Sequence, residues 1–181
     1  FPTHTAQGGV TDDKQAIYIP KLFFYNDELD VNLTNLYVFE DLGWDDTYRE
    51  HNFGILDMNY VPKEAVITLG QVSKYCGNAQ YIGRYPINDT DWSYVYAKPS
   101  GAFEIVWSTQ NDKTFEYSLE PDETAEDMYG NPIEPHDGYI TVGEKVVYVS
   151  GISAEKVAKA VEAQAANEIV PMLETYKDKI D

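Results

Sequence analysis

The chain has 181 residues, 43% of them hydrophobic and 14% aromatic, enough to bury a core and too apolar to be disordered by composition. Against 31 acidic residues stand 13 basic ones, a formal net charge of −18. Such a surface repels phosphate backbones and anionic lipid, so nucleic acid and membranes are argued against as partners, and no run approaches the roughly 20 apolar residues that span a bilayer.

In chain order, residues 1–10 read as a loop ending in Gly8-Gly9. The chain opens on Phe1-Pro2-Thr3-His4, with no Met and no basic segment followed by a long apolar one. It therefore reads as cut from something longer, without a visible signal peptide. Thr11-Asp12-Asp13 predicts a helix start, a hydroxyl cap followed by acids where the helix dipole favours them. Ala16, Ile17, Phe23 and Phe24 supply its apolar positions, and Pro20 is expected to kink or divide it. After the polar stretch around Asn26-Asp27 and Asp30, the short apolar run Asn35–Phe39 predicts a buried strand, and Glu40–Asp46 the loop behind it. Phe53-Gly54-Ile55-Leu56 is a second strand-like piece. A helix is expected to open at Pro62, where a missing N–H costs nothing, and to carry Ala65, Leu69, Val72 and Cys76 as one apolar stripe. A lone Cys on that stripe makes no internal disulfide and reads as a buried, inert thiol. This order, loop–helix–strand–loop–helix, is that of an α/β architecture. One buried strand with two helices has unpaired edges and an incomplete core, so the segment calls for more sheet from a parent or a second chain.

From about Ala79 the texture changes. Tyr81–Gly83, Tyr94–Tyr96, Phe103–Trp107, Phe115–Leu119, Tyr139–Val142 and Val146–Val149 are short runs separated by turn residues, the pattern of an antiparallel sheet or sandwich. Phe115, Tyr117 and Leu119 alternate with polar residues, as a half-buried strand does. Gly130-Asn131-Pro132 is turn chemistry. A last helix is expected from Ser153, with Val157, Val161, Ala165, Ile169 and Leu173 on one face and a break near Pro171. Asn32-Leu33-Thr34 and Asn88-Asp89-Thr90 fit the glycosylation pattern, a tripeptide frequent by chance. His4, His51 and His136 are scattered without ligand spacing, so neither a metal nor another cofactor is predicted.

Five stretches stand in a telling order: Phe1-Pro2-Thr3-His4-Thr5, Gln15-Ala16-Ile17-Tyr18, Leu36-Tyr37-Val38-Phe39-Glu40-Asp41-Leu42-Gly43, Glu50-His51-Asn52-Phe53-Gly54-Ile55-Leu56 and Pro62-Lys63-Glu64-Ala65. Together they resemble the end of a (β/α)8-barrel glycoside hydrolase of the retaining, two-glutamate superfamily. The resemblance implies that the first loop follows barrel strand seven, residues 12–25 are helix seven, Leu36–Phe39 is strand eight and residues 62–76 are helix eight. Asp127–Ile133 and Val146–Val149 are similar to the closing strands of the small β-sandwich often appended to such barrels. The implied fold is α/β plus all-β: residues 1–77 the last β/α units of a barrel, 78–151 an antiparallel β-sandwich, 152–181 a C-terminal helix or linker. The chain departs from the usual pattern at Glu64-Ala65-Val66 and at Leu42, which leaves the subfamily open.

Retaining hydrolysis needs two carboxyl groups roughly 5 Å apart. In the resembled family the nucleophilic glutamate ends strand seven, just before Phe1, and the acid/base glutamate lies on strand four. Neither falls in this chain, so no catalytic residue is assigned and the chain alone is expected to be inactive. What remains is cleft wall at the C-terminal ends of the strands. Tyr37, Phe39 and Trp44 have rings on which sugar C–H faces stack, and Glu40, Asp41 and His4 can bond hydroxyls. The implied partners are an oligo- or polysaccharide with β linkages and the remainder of the barrel; the compartment is left open, with secretion or the cell surface favoured. Two other readings stand beside this one. A non-catalytic carbohydrate-binding or adhesion module would expose an aromatic strip near Trp92 or Tyr94, and a purely structural protein would carry its acids for solvation only.

Overall fold

The computed structural model describes residues 1–6, 8–110 and 112–166. Helix α1, Asp12–Glu28, starts where the Thr11 hydroxyl accepts from Lys14 N at 3.2 Å. Pro20 sits buried inside one continuous helix and does not divide it. Having no N–H, Pro20 leaves the Ala16 carbonyl without its usual intrahelical donor. The last turn of α1 carries Asp27 and Glu28 and no base, an arrangement the helix dipole disfavours. The following sheet offsets it: Arg84 lies 2.9 Å from Glu28, and the Tyr94 and Tyr96 hydroxyls donate to Glu28 and Asp27 at 3.0 and 2.9 Å.

Helix α2, Glu64–Cys76, begins two residues later than Pro62, with Lys63 at its cap position. Ala65 and Val72 of the expected stripe are buried and Leu69 packs against them. Burial pushes the Cys76 thiol up to about 12, so it stays protonated and inert. At one end of the two helices Asp13 and Glu64 bond the same hydroxyl, that of Tyr129 (3.4 and 2.7 Å). At the other end Asp27 and Cys76 line one cleft. The helices therefore run parallel.

Eight strands follow: β1 Gln80–Pro86, β2 Trp92–Lys98, β3 Gly101–Val106, β4 Phe115–Ser118, β5 Thr124–Asp127, β6 Pro132–Ile133, β7 Tyr139–Val142 and β8 Val147–Ser150. Six form an antiparallel sheet in the order β1-β2-β3-β8-β5-β6, and β4 pairs with β7 alone. Strands β5 and β6 have no apolar run to announce them; Thr124–Asp127 becomes a strand because the edge of β8 is there to pair with. Between them the expected turn forms, with Asp127 Oδ1 accepting from Tyr129 N and Asn131 N, both at 2.9 Å.

The large sheet is buried on both faces. Tyr94, Tyr96, Phe103, Ile105 and Tyr148 point toward Ile17 and Phe24 of α1 and Val72 and Tyr75 of α2. Their rings stack: Tyr75 on Tyr148 at 4.3 Å, Tyr94 on Trp107 at 4.7 Å, Tyr96 on Phe103 at 5.4 Å. On the other face Val95, Val106, Val147 and Val149 meet Tyr117, Ile140 and Val142 of the small sheet. Helix α3, Ala154–Ala166, covers the rest of that face. At a bulge in β1, Gly83 has φ +152 and a Cβ there would lie 2.5 Å from Ala160 O, so only glycine lets α3 approach. Ile169, Pro171 and Leu173, expected to continue this helix, lie outside the described residues.

One expectation is corrected. Asn35–Phe39 is not a strand of any sheet. Its tie to neighbouring backbone is at its end, where the Phe39 carbonyl accepts from Ile55 N and Leu56 N (3.0 and 3.1 Å) and Asp41 N donates to Leu56 O (2.9 Å). The result is a single parallel bridge between Glu40 and Leu56. Apolar and β-branched residues set a preference for pleated backbone, but a strand needs a partner, and beyond that one bridge none of the described segments pairs with this one. Phe53–Leu56 likewise forms bridges only.

Candidate functional site

The loops that lead into α1 and α2 are sewn together by a small buried polar node. Lys63 Nζ donates to Asp41 Oδ1 at 2.8 Å and to the Thr3 hydroxyl at 2.7 Å. Asp41 also accepts from Gly54 N at 2.8 Å, and Gln15 Nε2 donates to Phe1 O and Gly54 O at 2.9 and 3.2 Å. Residue 54 must be glycine because a Cβ there would sit 2.2 Å from Asp41 N. Two backbone bonds, Thr3 N to Asn52 O and Thr5 N to Asp46 O, both 2.8 Å, clip the first loop along the loop that follows Glu40.

On this frame the expected site residues divide into two sets. Tyr37, Phe39 and Trp44 are 66%, 68% and 72% exposed. Tyr37 leans edge-on against Phe53, 5.2 Å between centroids, and Glu40 is half-buried beside Leu56. Asp41 and His4 are not on the open surface: each is 7% exposed. Asp41 is consumed by Lys63 and Gly54, so its role here is to hold the loop. Among the described residues neither ring nitrogen of His4 finds a hydrogen-bond partner.

Asp45 and Asp46, which follow Trp44 in the chain, are exposed as well. Hydrogen bonds from the Thr47 hydroxyl and its backbone N–H hold the Asp45 carboxyl below the usual range, so it stays ionised. Rings flanked by ionised carboxylates can stack on an apolar ligand face and accept from hydroxyls around it. Among the described residues no three His, Cys, Asp or Glu side chains converge as metal ligands do.

Lys63, Thr3 and Gln15 had no part in the expected site. One signal could have found Lys63: cap positions favour Ser, Thr, Asp or Asn, and a lysine beside the positive end of a helix is misplaced unless its charge is used elsewhere. Thr3 and Gln15 carry no such mark.

No family model and no curated protein sequence matches the chain. Among solved structures, a family 39 glycoside hydrolase from the gut symbiont Bacteroides cellulosilyticus WH2 is similar at TM-score 0.64 and 17% identity, over 82% of this chain and 31% of that one. An Anoxybacillus alpha-amylase, described as offering insight into a new glycosyl hydrolase subclass, aligns at TM-score 0.42 and 10% identity over 78% of this chain and 33% of its own. The second value is too low to carry an argument. The chain thus spans about a third of the family 39 structure and, at low identity, shares the fold of that part of a glycoside hydrolase.

Proposed function

We propose that the chain is the closing part of a retaining (β/α)8-barrel glycoside hydrolase acting on β-linked glycans, with both catalytic glutamates outside it. On this reading residues 1–77 end the barrel, 78–151 form an accessory β-sandwich and 152–181 a C-terminal helical segment. One observation carries it: Leu36–Phe39 has the composition of a buried strand, yet it joins no sheet and presents Tyr37 and Phe39 two-thirds exposed. A strand-like run in that state wants neighbours. The parallel course of α1 and α2 gives support, since successive β/α units place their helices so, and the likeness in fold to a family 39 glycoside hydrolase agrees with it. Tyr37, Phe39, Trp44 and Glu40 then belong to the glycan-facing wall, with Asp41 and His4 beneath it.

Two measurements test the reading. The isolated chain is expected to give no turnover of aryl β-glycosides; clear turnover would mean that the catalytic pair lies within it. Soluble β-glucan or xylan in a native gel is expected to retard the chain, and Trp44→Ala and Phe39→Ala to weaken that retardation without loss of fold. Unchanged retardation by both variants would remove these rings from the wall. A free-standing binding module built on Tyr94, Tyr96 and Trp107 is disfavoured, because these rings are at most 2% exposed and Arg84 lies 4.2 Å over Trp92.

A further inference from the structure

The two glycosylation tripeptides, Asn32-Leu33-Thr34 and Asn88-Asp89-Thr90, have no part in the glycosidase reading, and the fold treats them differently. Asn88 sits in the turn between β1 and β2, where its side chain is committed. Its Oδ1 accepts from Thr90 N and Asp91 N, both at 2.9 Å, and its Nδ2 donates to Asp91 Oδ2 at 3.0 Å. Asn32 lies on the segment that leaves α1. Residues 30–34 belong to no helix or strand, and Asp30 and Asn32 are exposed. The bond from Val31 N to Asn26 O at 2.8 Å closes the helix end; among the described residues the backbone of Asn32, Leu33 and Thr34 pairs with no other backbone. The Thr34 hydroxyl accepts from Asn26 Nδ2 at 2.6 Å, which leaves its own hydrogen free to be read.

We propose that Asn32 is an acceptor for N-linked glycan, transferred to the folded chain from a polyprenyl-diphosphate oligosaccharide. Oligosaccharyltransferases that act on folded proteins need more than Asn-x-Thr: they need the tripeptide on an irregular, accessible segment, and an acidic residue two positions before the asparagine. Asp30-Val31-Asn32-Leu33-Thr34 meets both conditions. At the other tripeptide the position two before Asn88 is Pro86, the last residue of β1, so both conditions fail there. A further observation favours a glycan at Asn32. Leu29, Val31 and Leu33, which flank it in the chain, are all exposed apolar side chains. A bulky hydrated group on Asn32 would shield them from self-association.

The step balances with the named donor. Asn32 Nδ2 attacks the anomeric carbon of the sugar, and the new C–N bond replaces the C–O bond to phosphate. The polyprenyl diphosphate leaves with that electron pair, and one amide hydrogen leaves as a proton. This inference does not rest on the glycosidase reading.

The test incubates the folded full chain with a single-subunit oligosaccharyltransferase of the acid-requiring class and an undecaprenyl-diphosphate oligosaccharide, and reads occupancy by glycopeptide mass spectrometry. Asn32 is expected to be glycosylated and Asn88 to stay bare. Asn32→Gln and Asp30→Asn should each abolish the product, with thermal melts confirming that both variants fold. Pro86→Asp supplies the missing acid to Asn88. In the folded variant Asn88 should still react at least about tenfold slower than Asn32, because the bonds that hold its side chain must open first. In the tryptic peptides of the same variant the two asparagines should react at similar rates. A bare Asn32 in the folded chain would overturn the proposal. Equal rates at Asn32 and Asn88 in folded Pro86→Asp would also overturn it, since the fold would then select neither.

Discussion

Lys63 Nζ lies 2.8 Å from both Asp41 carboxylate oxygens, in a pair whose side chains are 7% and 8% exposed. The two residues are 22 apart in sequence, one near the start of the loop after Phe39 and the other at the cap position of α2. With Thr3 as third member, the pair fixes how the first loop sits on the second.

Removing one member of such a pair strands a buried charge. Lys63→Met is expected to cost about 3–5 kcal/mol in urea unfolding. Asp41→Asn together with Lys63→Met should recover most of the loss, because the stranded charge is gone. A double variant as unstable as the single would show that Lys63 contributes packing rather than charge.

Two glycines should respond in opposite directions. Gly54→Ala forces a Cβ to 2.2 Å from Asp41 N and 2.3 Å from Glu40 C, both backbone, and should destabilise by more than about 2 kcal/mol. Gly70, exposed in the middle of α2, has nothing within 4 Å of an added Cβ. Gly70→Ala should therefore stabilise by about 0.5–1 kcal/mol. Thermal melts of both variants decide the matter, and equal effects would contradict the packing described for residue 54.

Behind the sheet, the fully buried carboxylate of Glu104 accepts from Tyr85, Ser93, Tyr117 and Lys156. Lys156 reaches it from α3 and also pairs with Glu123. Glu104→Gln removes the charge that holds Lys156 and should cost about 2–4 kcal/mol. Glu116→Gln, on the exposed side of β4, should stay within about 0.5 kcal/mol. Chemical denaturation with far-UV detection of α3 provides the comparison.

Acid should act through Asp91. Burial lifts its carboxyl, but the Thr109 N–H and hydroxyl, the Asn88 amide and the Thr90 hydroxyl outweigh burial and hold it below the ordinary 3.8. Because the folded value lies below the unfolded one, the stabilisation is complete above 3.8 and is lost as pH falls through the depressed value. Asp91→Asn should be less stable than the parent at pH 6, with the gap closing below pH 3.8. A gap that persisted at pH 2 would assign the loss to packing rather than to the charge.

Much of this architecture is legible in the residues, and the limits of legibility are physical. Thr11, the stripe of α2, and the alternation around Tyr117 are local signals, because caps and periodicity act within a few residues. Thr124–Asp127 was unreadable because β8, not its own composition, makes it a strand. Asn35–Phe39 failed in the other direction: its composition asks for a strand, and no described segment supplies the partner. Of the expected wall, exposure at Tyr37, Phe39 and Trp44 left those rings available, while Asp41 and His4 went inward. Nothing in a loop sequence shows which polar side chains a distant lysine will claim.

By itself the sequence determined the three helices, most of the sheet and a surface too acidic to seek anions, since these depend on propensity, periodicity and summed charge. Tertiary structure alone decided that α1 and α2 share a core with the sheet, and that Lys63 reaches back to Asp41. Burial and pairing between residues far apart in the chain depend on where the backbone brings them, and a single hydrogen bond's reach separates a buried ion pair from two solvated charges.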